Sequence, residues 1–397
     1  MQRIVVLGGG VGGTLAANLI ARKLKKQIAR GEAKVTVVDQ TGRHLYQPGY
    51  MYIAMGNEKA ERLSRPEKKL LDGNVELVID DVVRIDVADS RVELKGGERL
   101  GYDQLVIATG ARILPEELPG FETEAHHFYT AHAARQLRKA LDAFTGGRIV
   151  VGIAGMPYKC PPAPLEVTFL VESELRERGL RDKTELTFLS PINRAFTIES
   201  VSEMATPILE EKGIKLEVLA GIAEIDAARK VVVTDAFEEH PYDLLIAVPP
   251  HRGAQVVIDS GLAPKSGWIP TDRYSLQVKH LVTGNVPDEE IERYPNIYAL
   301  GDATDLPLSK AGSTAHFEAP IVAERVAAAV LGREPEGKDA NYTGKVMCFF
   351  EVGDGKGTLL QFDYENPPKP PKPNQLWHLG KVIFNKTYWQ TVPRGRI

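Results

Sequence analysis

Arg3-Ile-Val-Val-Leu-Gly8-Gly-Gly10-Val-Gly12-Gly13 decides the fold. An apolar run of strand length enters a turn spaced Gly8-x-Gly10-x-x-Gly13, and an amphipathic helix follows, with Val11, Leu15, Leu19 and Ile20 on one face. The next strand, Lys34 to Asp39, ends in an acid. Glycines in such a turn let the backbone approach a pyrophosphate, the helix start offers free N–H groups, and a terminal carboxylate can bind ribose hydroxyls. Gly8, Gly10, Gly12 and Gly13 are therefore expected to cradle a dinucleotide, with Asp39 on its ribose.

Two later strands end in punctuation of the same kind. Tyr102 to Ala111 closes on Thr109-Gly110, and Asn296 to Asp302 closes on Gly301-Asp302. In this order the three motifs resemble two-dinucleotide-domain flavoproteins. The resemblance implies FAD as cofactor and Asp302 on its ribityl chain. It also assigns Gln47, Pro48, Val82, Thr109, Gly110, Gly301, Lys310 and Gly312 to the flavin site.

The expected fold class is α/β, with tandem Rossmann-like FAD and degenerate NAD-type domains and a C-terminal amphipathic, membrane-associating segment. Residues 1–113 and 290–335 are expected to form the FAD-binding domain, 114–289 the second Rossmann-like domain, and 336–397 a C-terminal membrane-side region. The second domain opens on Gly147-Arg-Ile-Val-Val-Gly-Ile-Ala-Gly155 but continues Met-Pro-Tyr-Lys-Cys-Pro-Pro. Prolines and bulky side chains there remove the close approach and the N–H donors that a second pyrophosphate needs. The following strand ends in Ser190-Pro191 instead of an acid, so reduction by NADH is disfavoured.

Composition narrows the classes further. The chain has 397 residues, room for two or three domains, and a net charge of −4 without a basic, aromatic-studded stripe, which argues against nucleic acid. The first strand begins at residue 3 with no leader pattern before it, so a cytoplasmic start is expected. No apolar run reaches the roughly 18 residues of a spanning helix, so membrane contact is expected to be peripheral. Beyond the proline-rich Asn366–Pro373, the segment to Ile397 carries six Lys or Arg counted from Asn366, no acid, and interspersed Trp377, Phe384, Tyr388 and Trp389. That composition suits an anionic membrane surface or packing on the protein's own fold.

Two cysteines are too few for a disulfide framework, and no metal site is expected. Cys160 precedes a helix that Pro164 can open, and Lys159 adjoins it, so its thiolate is expected to be favoured. Glu166, in the first turn, reads either as a dipole-complementing acid or as a proton acceptor.

The glycine turn, Cys160 with Glu166, Cys348-Phe349 with Gly353-Asp354, and Trp377-His-Leu-Gly-Lys381-Val-Ile-Phe384 together resemble the sulfide:quinone oxidoreductase family over nearly the whole chain. The resemblance implies that Cys160 and Cys348 form a redox-active disulfide or sulfur-bridged pair. Hydrosulfide attacks it, and two electrons pass through FAD to a membrane quinone. His132, in Thr130-Ala-His-Ala, joins proton handling or merely starts a helix. Phe349, Phe350 and Phe384 are expected at the quinone, with Lys381 near its head group, although each aromatic reads equally as core.

The chain departs from that family's pattern in three places. Tyr129 stands where many members carry a third cysteine, so the FAD is expected to be non-covalent. The loop Ser190–Phe196 lacks a histidine, and the tail is short, so attachment as a homo-oligomer is expected at the cell membrane. Three alternatives stay open: a flavocytochrome c sulfide dehydrogenase flavoprotein, a type II NADH:quinone oxidoreductase, and a non-enzymatic flavin–thiol sensor.

Overall fold

The computed structural model describes residues 1–282, 284 and 286–396. The N-terminal motif forms as read. Gln2–Leu7 is a strand whose last four residues are buried, and Val11–Lys23 is the helix after the turn. That strand sits inside a six-stranded sheet ordered Gln277–Lys279, Arg293–Ala299, Gln104–Ile107, Gln2–Leu7, Ala33–Asp39, Val75–Ile79. All neighbours are parallel except the first pair. Strands buried on both faces explain the unbroken apolar runs that made them legible.

A second, wholly parallel sheet has the order Ala125–His126, Leu244–Val248, Gly147–Ile153, Thr184–Leu189, Lys215–Glu217. Each sheet is accompanied by a three-stranded antiparallel meander, Val82–Gly101 in one half and Ile222–Pro241 in the other. The chain therefore repeats one plan twice. The return to the first sheet begins with the edge strand Gln277–Lys279, ahead of the boundary at 290 read from sequence. That antiparallel edge strand carries no glycine signature and so gives no local signal.

The turn glycines have separate jobs. Gly8 adopts φ +105°, and a Cβ on Gly13 would lie 1.9 Å from the Gly8 carbonyl oxygen, so the helix can start only where position 13 has no side chain. Packed along that first helix is the long helix Gly312–Leu331.

The last part of the chain closes the structure. Hairpin Val346–Glu351 with Gly357–Phe362 leads through the proline-rich stretch to a helix, Gln375–Thr387, capped by the Asn374 side chain. Tyr388 then buries its ring beside Tyr46, its hydroxyl 2.6 Å from His44 Nε2, and Asn18 donates to the Pro393 carbonyl. These bonds pin the C-terminal segment to the first half. Among the described residues no helix is long and apolar enough to cross a membrane.

Candidate active site

The connection between Gly147–Ile153 and the helix Ala163–Glu177 runs through residues 154–162, a long excursion where a nucleotide-binding turn would be tight. Cys160 lies on it with φ +56°, a left-handed conformation that costs a non-glycine residue about 1–2 kcal/mol. Two hydrogen bonds hold it there: its N–H donates to Lys310 O at 2.6 Å, and its carbonyl accepts from Ala163 at 2.9 Å. Cys348 comes from the Val346–Glu351 strand, and its Sγ lies 3.3 Å from Ser313 Oγ. The two cysteines are thus stitched to opposite ends of one short segment, Lys310–Ser313. Both thiols are free, and the expected disulfide is not formed in this structure.

Burial raises both thiols, and each lies within electrostatic reach of Glu166 and Lys381. The thiolate expected at Cys160 is therefore not favoured. Lys159, its sequence neighbour, turns away to Gln47 Oε1 (3.1 Å) and Ala111 O (3.4 Å), and the cation that reaches the thiols is Lys381.

Glu166 is buried and its Oε1 accepts from Glu351 N–H at 2.7 Å and from Lys381 Nζ. Burial raises Glu166, opposed by the Lys381 ammonium. Burial also disfavours the charge on Lys381, but Glu166, Tyr52 and Glu351 outweigh it and hold the ammonium well above its usual range. The helix Gln375–Thr387 brings Lys381, the residue expected near a quinone head group, to the carboxylate beside the thiols.

Three members of this cluster escaped the sequence reading. Glu351, also buried, accepts from the Tyr52 hydroxyl at 3.1 Å and pairs with His378 Nδ1 at 2.9 Å. An acid ending Met-Cys-Phe-Phe-Glu was a usable signal, because an unpaired carboxylate is rarely buried in a strand. His378 and Lys381 are one helical turn apart, a spacing that puts both on the same face.

The aromatic expectations divide. Phe349 and Phe384 meet at 6.2 Å between ring centres. Phe350 is fully buried against Phe169 and Phe196, part of the second half's core; alternation along the strand sends it to the opposite face from Phe349. His132 is exposed in the first turn of Ala131–Ala143, where the Thr130 side chain caps Ala133 N–H, so the helix-start reading describes its position. Two other histidines occupy the interior near Tyr129. Burial pushes His251 down to about 3 and His127 to about 4, and His251 Nε2 has no partner among the described residues.

The residues assigned to a flavin fit one. An ideal Cβ at Gly10 or Gly110 meets no protein atom within 4 Å, the first helix carries no side-chain cap, and Thr109 Oγ1 is buried without a partner among the described residues. Asp39 Oδ2 accepts from Gly9 N–H at 2.8 Å, and its Oδ1 accepts from Thr41 and Gly42 N–H, fastening the glycine turn to the second strand. Asp302 is raised by burial and faces Lys159 and Lys310; Lys310 Nζ sits 4.0 Å from the Trp268 ring centre. Behind them Glu318 accepts from Gly301 N–H, and burial pushes it up to about 8. Gln47 and Pro48 lie on the short turn Gln47–Gly49, Val82 opens the first meander, and Gly12 and Gly312 sit in first turns of the two packed helices.

Gly10 gives a direct check on this assignment. Gly10→Val adds a side chain whose Cβ meets no protein atom within 4 Å, so the variant is expected to melt like apo wild type but retain less than about a tenth of the flavin on purification. Full flavin content in Gly10→Val would remove the turn from the cofactor site.

Comparison with known proteins agrees with this architecture. Residues 2–158 match the pyridine nucleotide-disulphide oxidoreductase family. The chain is 24% identical over 376 residues to the mitochondrial sulfide:quinone oxidoreductase of Mus musculus, covering 92% of this chain and 79% of that one. The solved sulfide:quinone oxidoreductase of Aquifex aeolicus superposes with a TM-score of 0.80 at 22% identity, covering 100% of this chain and 92% of the other. A type II NADH:quinone oxidoreductase of Mycobacterium tuberculosis is 21% identical, over 89% of this chain and 76% of its own. Residues 2–158 thus resemble the pyridine nucleotide-disulphide oxidoreductase family, and along its whole length the chain is similar to sulfide:quinone oxidoreductases.

Proposed function

We propose that the protein is a sulfide:quinone oxidoreductase that oxidises sulfide at Cys160 and Cys348 and acts as a peripheral membrane protein. The observation that carries this reading is the attachment of both cysteines to Lys310–Ser313, Cys160 through its backbone N–H and Cys348 through its thiol, next to Asp302 and under the shared influence of Glu166 and Lys381. A bound flavin would supply a two-electron carrier between thiols and quinone. Gly8, Gly10, Asp39, Thr109, Asp302 and Lys310 are the residues proposed to hold it.

The proposed chemistry balances at the cysteines. With the pair oxidised, hydrosulfide forms a bond to Cys160 sulfur as the Cys160–Cys348 bond breaks. The product is a persulfide on Cys160 and a thiolate on Cys348, which carries the electron pair onward. The hydrosulfide proton goes to Glu166, and the Lys381 ammonium offsets the thiolate charge formed beside it. A second hydrosulfide bonds to the outer persulfide sulfur as the sulfur–sulfur bond to Cys160 breaks, releasing hydrodisulfide and leaving Cys160 a thiolate, which re-forms its bond to Cys348 once the electron pair has been passed on. Phe349 and Phe384 are proposed for the quinone side.

Similarity to NADH:quinone oxidoreductases supports a second reading, in which NADH is the donor. Residues 154–162 weigh against it, because the excursion carrying Cys160 and three prolines occupies the place of a pyrophosphate turn. Anaerobic mixing of the flavin-loaded protein with sulfide or NADH separates the two. Bleaching by sulfide alone, reversed by a soluble quinone, is expected; bleaching by NADH would favour the second reading.

Peripheral attachment rests on the helix Gln375–Thr387, which presents large apolar side chains to solvent. Leu376, Leu379 and Ile383 are 73%, 51% and 52% exposed. Their spacing puts three large apolar groups on one side of a helix that also carries Lys386.

A further inference from the structure

The same C-terminal segment builds a second feature that sulfide oxidation does not use. Beyond the helix, Tyr388–Gln390 and Val392–Arg394 fold back on residues 65–70 and enclose a surface pocket of about 280 Å³. Arg65, Lys69, Arg394 and Arg396 line it with Trp389, and among the described residues no carboxylate is in its walls. Arg65 stacks over the Trp389 ring at 4.9 Å, and its NH1 donates to Ser64 O at 2.9 Å and Arg62 O at 3.1 Å. Arg394 donates to Lys69 O at 3.2 Å. These guanidinium bonds go to carbonyls, so the positive charge of the pocket is not neutralised by them.

The walls are fixed independently of any ligand. Asn18, buried, donates to both Leu70 O and Pro393 O and so ties the two sides together, and Arg22 donates to the Arg394 carbonyl from beneath. Four cations gathered on a fixed surface repel one another, and an anion with several oxygens relieves that repulsion. Arginine forks and an interfacial tryptophan together suit a phosphate at a membrane surface.

We propose that this pocket binds the phosphate of an anionic lipid headgroup and so sets where the exposed Leu376, Leu379 and Ile383 enter the bilayer. The inference rests on the peripheral-membrane reading above and adds a named headgroup site to it. Charge complementarity and chain continuity argue for a lipid, because the helix with the exposed apolar groups runs directly into the turn that carries Trp389.

The test uses the full flavin-loaded chain and vesicles of phosphatidylcholine, alone or with phosphatidylglycerol. The variant is Lys69→Gln with Arg396→Gln, two side chains that make no hydrogen bond among the described residues. Wild type is expected to cosediment more strongly with phosphatidylglycerol vesicles. The double variant should bind those on the order of 10-fold more weakly while keeping wild-type flavin bleaching by sulfide and wild-type binding to phosphatidylcholine. Undiminished preference for phosphatidylglycerol in the variant would overturn the pocket, as would equal binding of wild type to both vesicles. Stabilisation of wild type by inorganic phosphate, without any vesicle preference, would assign the pocket to free phosphate and overturn the lipid. Failure of wild type to bind either vesicle would remove the membrane reading itself.

Discussion

Cys160→Ser is expected to slow sulfide-dependent bleaching of the flavin by about 10³-fold or more, and Cys348→Ser by a similar factor, because each removes one half of a unit that works only as a pair. The double variant should be little worse than either single one. Serine keeps the size of the side chain, and its hydroxyl can still meet Ser313 at position 348, so flavin content and melting temperature should stay near wild type. Retained bleaching by sulfide in either single variant, at more than about a tenth of the wild-type rate, would sink the paired-thiol reading. Loss of flavin together with activity would point to a structural role for the strained turn at Cys160, so cofactor absorbance has to be measured on the same samples.

The environment of the thiols sets the direction of their pH dependence. Burial raises both, so the attacking or leaving thiolate forms less readily than in water at neutral pH. Lys381 opposes this effect. A pair held largely as thiols is chemically quiet until charge is developed next to the ammonium, which is where the proposed reaction generates the Cys348 thiolate.

Local chemistry made the first half legible. Gly8, Gly10 and Gly13 act through backbone space, Asp39 closes a strand, and Thr109-Gly110 and Gly301-Asp302 end others; each signal is complete within a few residues. What the sequence could not give is charge placement across elements. Lys159 adjoins Cys160 in sequence, yet its ammonium bonds Gln47, while Lys381 arrives from the far end of the chain through docking of a helix. Phe349 and Phe350 differ only by the alternation of one strand, so which one enters the core depends on register. Glu351 and His378 pair across two elements joined by the proline-rich stretch, a contact that no local periodicity encodes.

Lys381→Met should then have the second large effect, on both stability and rate. It leaves Glu166 buried with only the Glu351 N–H for company, and breaking a buried pair by removing one partner costs about 3 kcal/mol or more. The sign of the pH dependence follows from Glu166. Its carboxyl is already raised by burial, and loss of the ammonium that opposes this raises it further. A carboxyl with a folded value above its unfolded one favours the fold at low pH and loses that contribution as pH rises through the folded value. The melting-temperature deficit of the variant should therefore be small near about pH 5 and grow toward about pH 8. Sulfide-dependent bleaching should fall on the order of 10²-fold, since the thiolate formed at Cys348 loses its cation and Glu166 can no longer cycle as an acceptor. Adding Glu166→Gln removes the stranded charge, so Glu166→Gln/Lys381→Met should recover most of the alkaline stability and none of the rate. A single variant that melts with the same deficit at both pH values would show that Lys381 acts by packing alone, and recovery of activity in the double variant would exclude Glu166 as the proton acceptor.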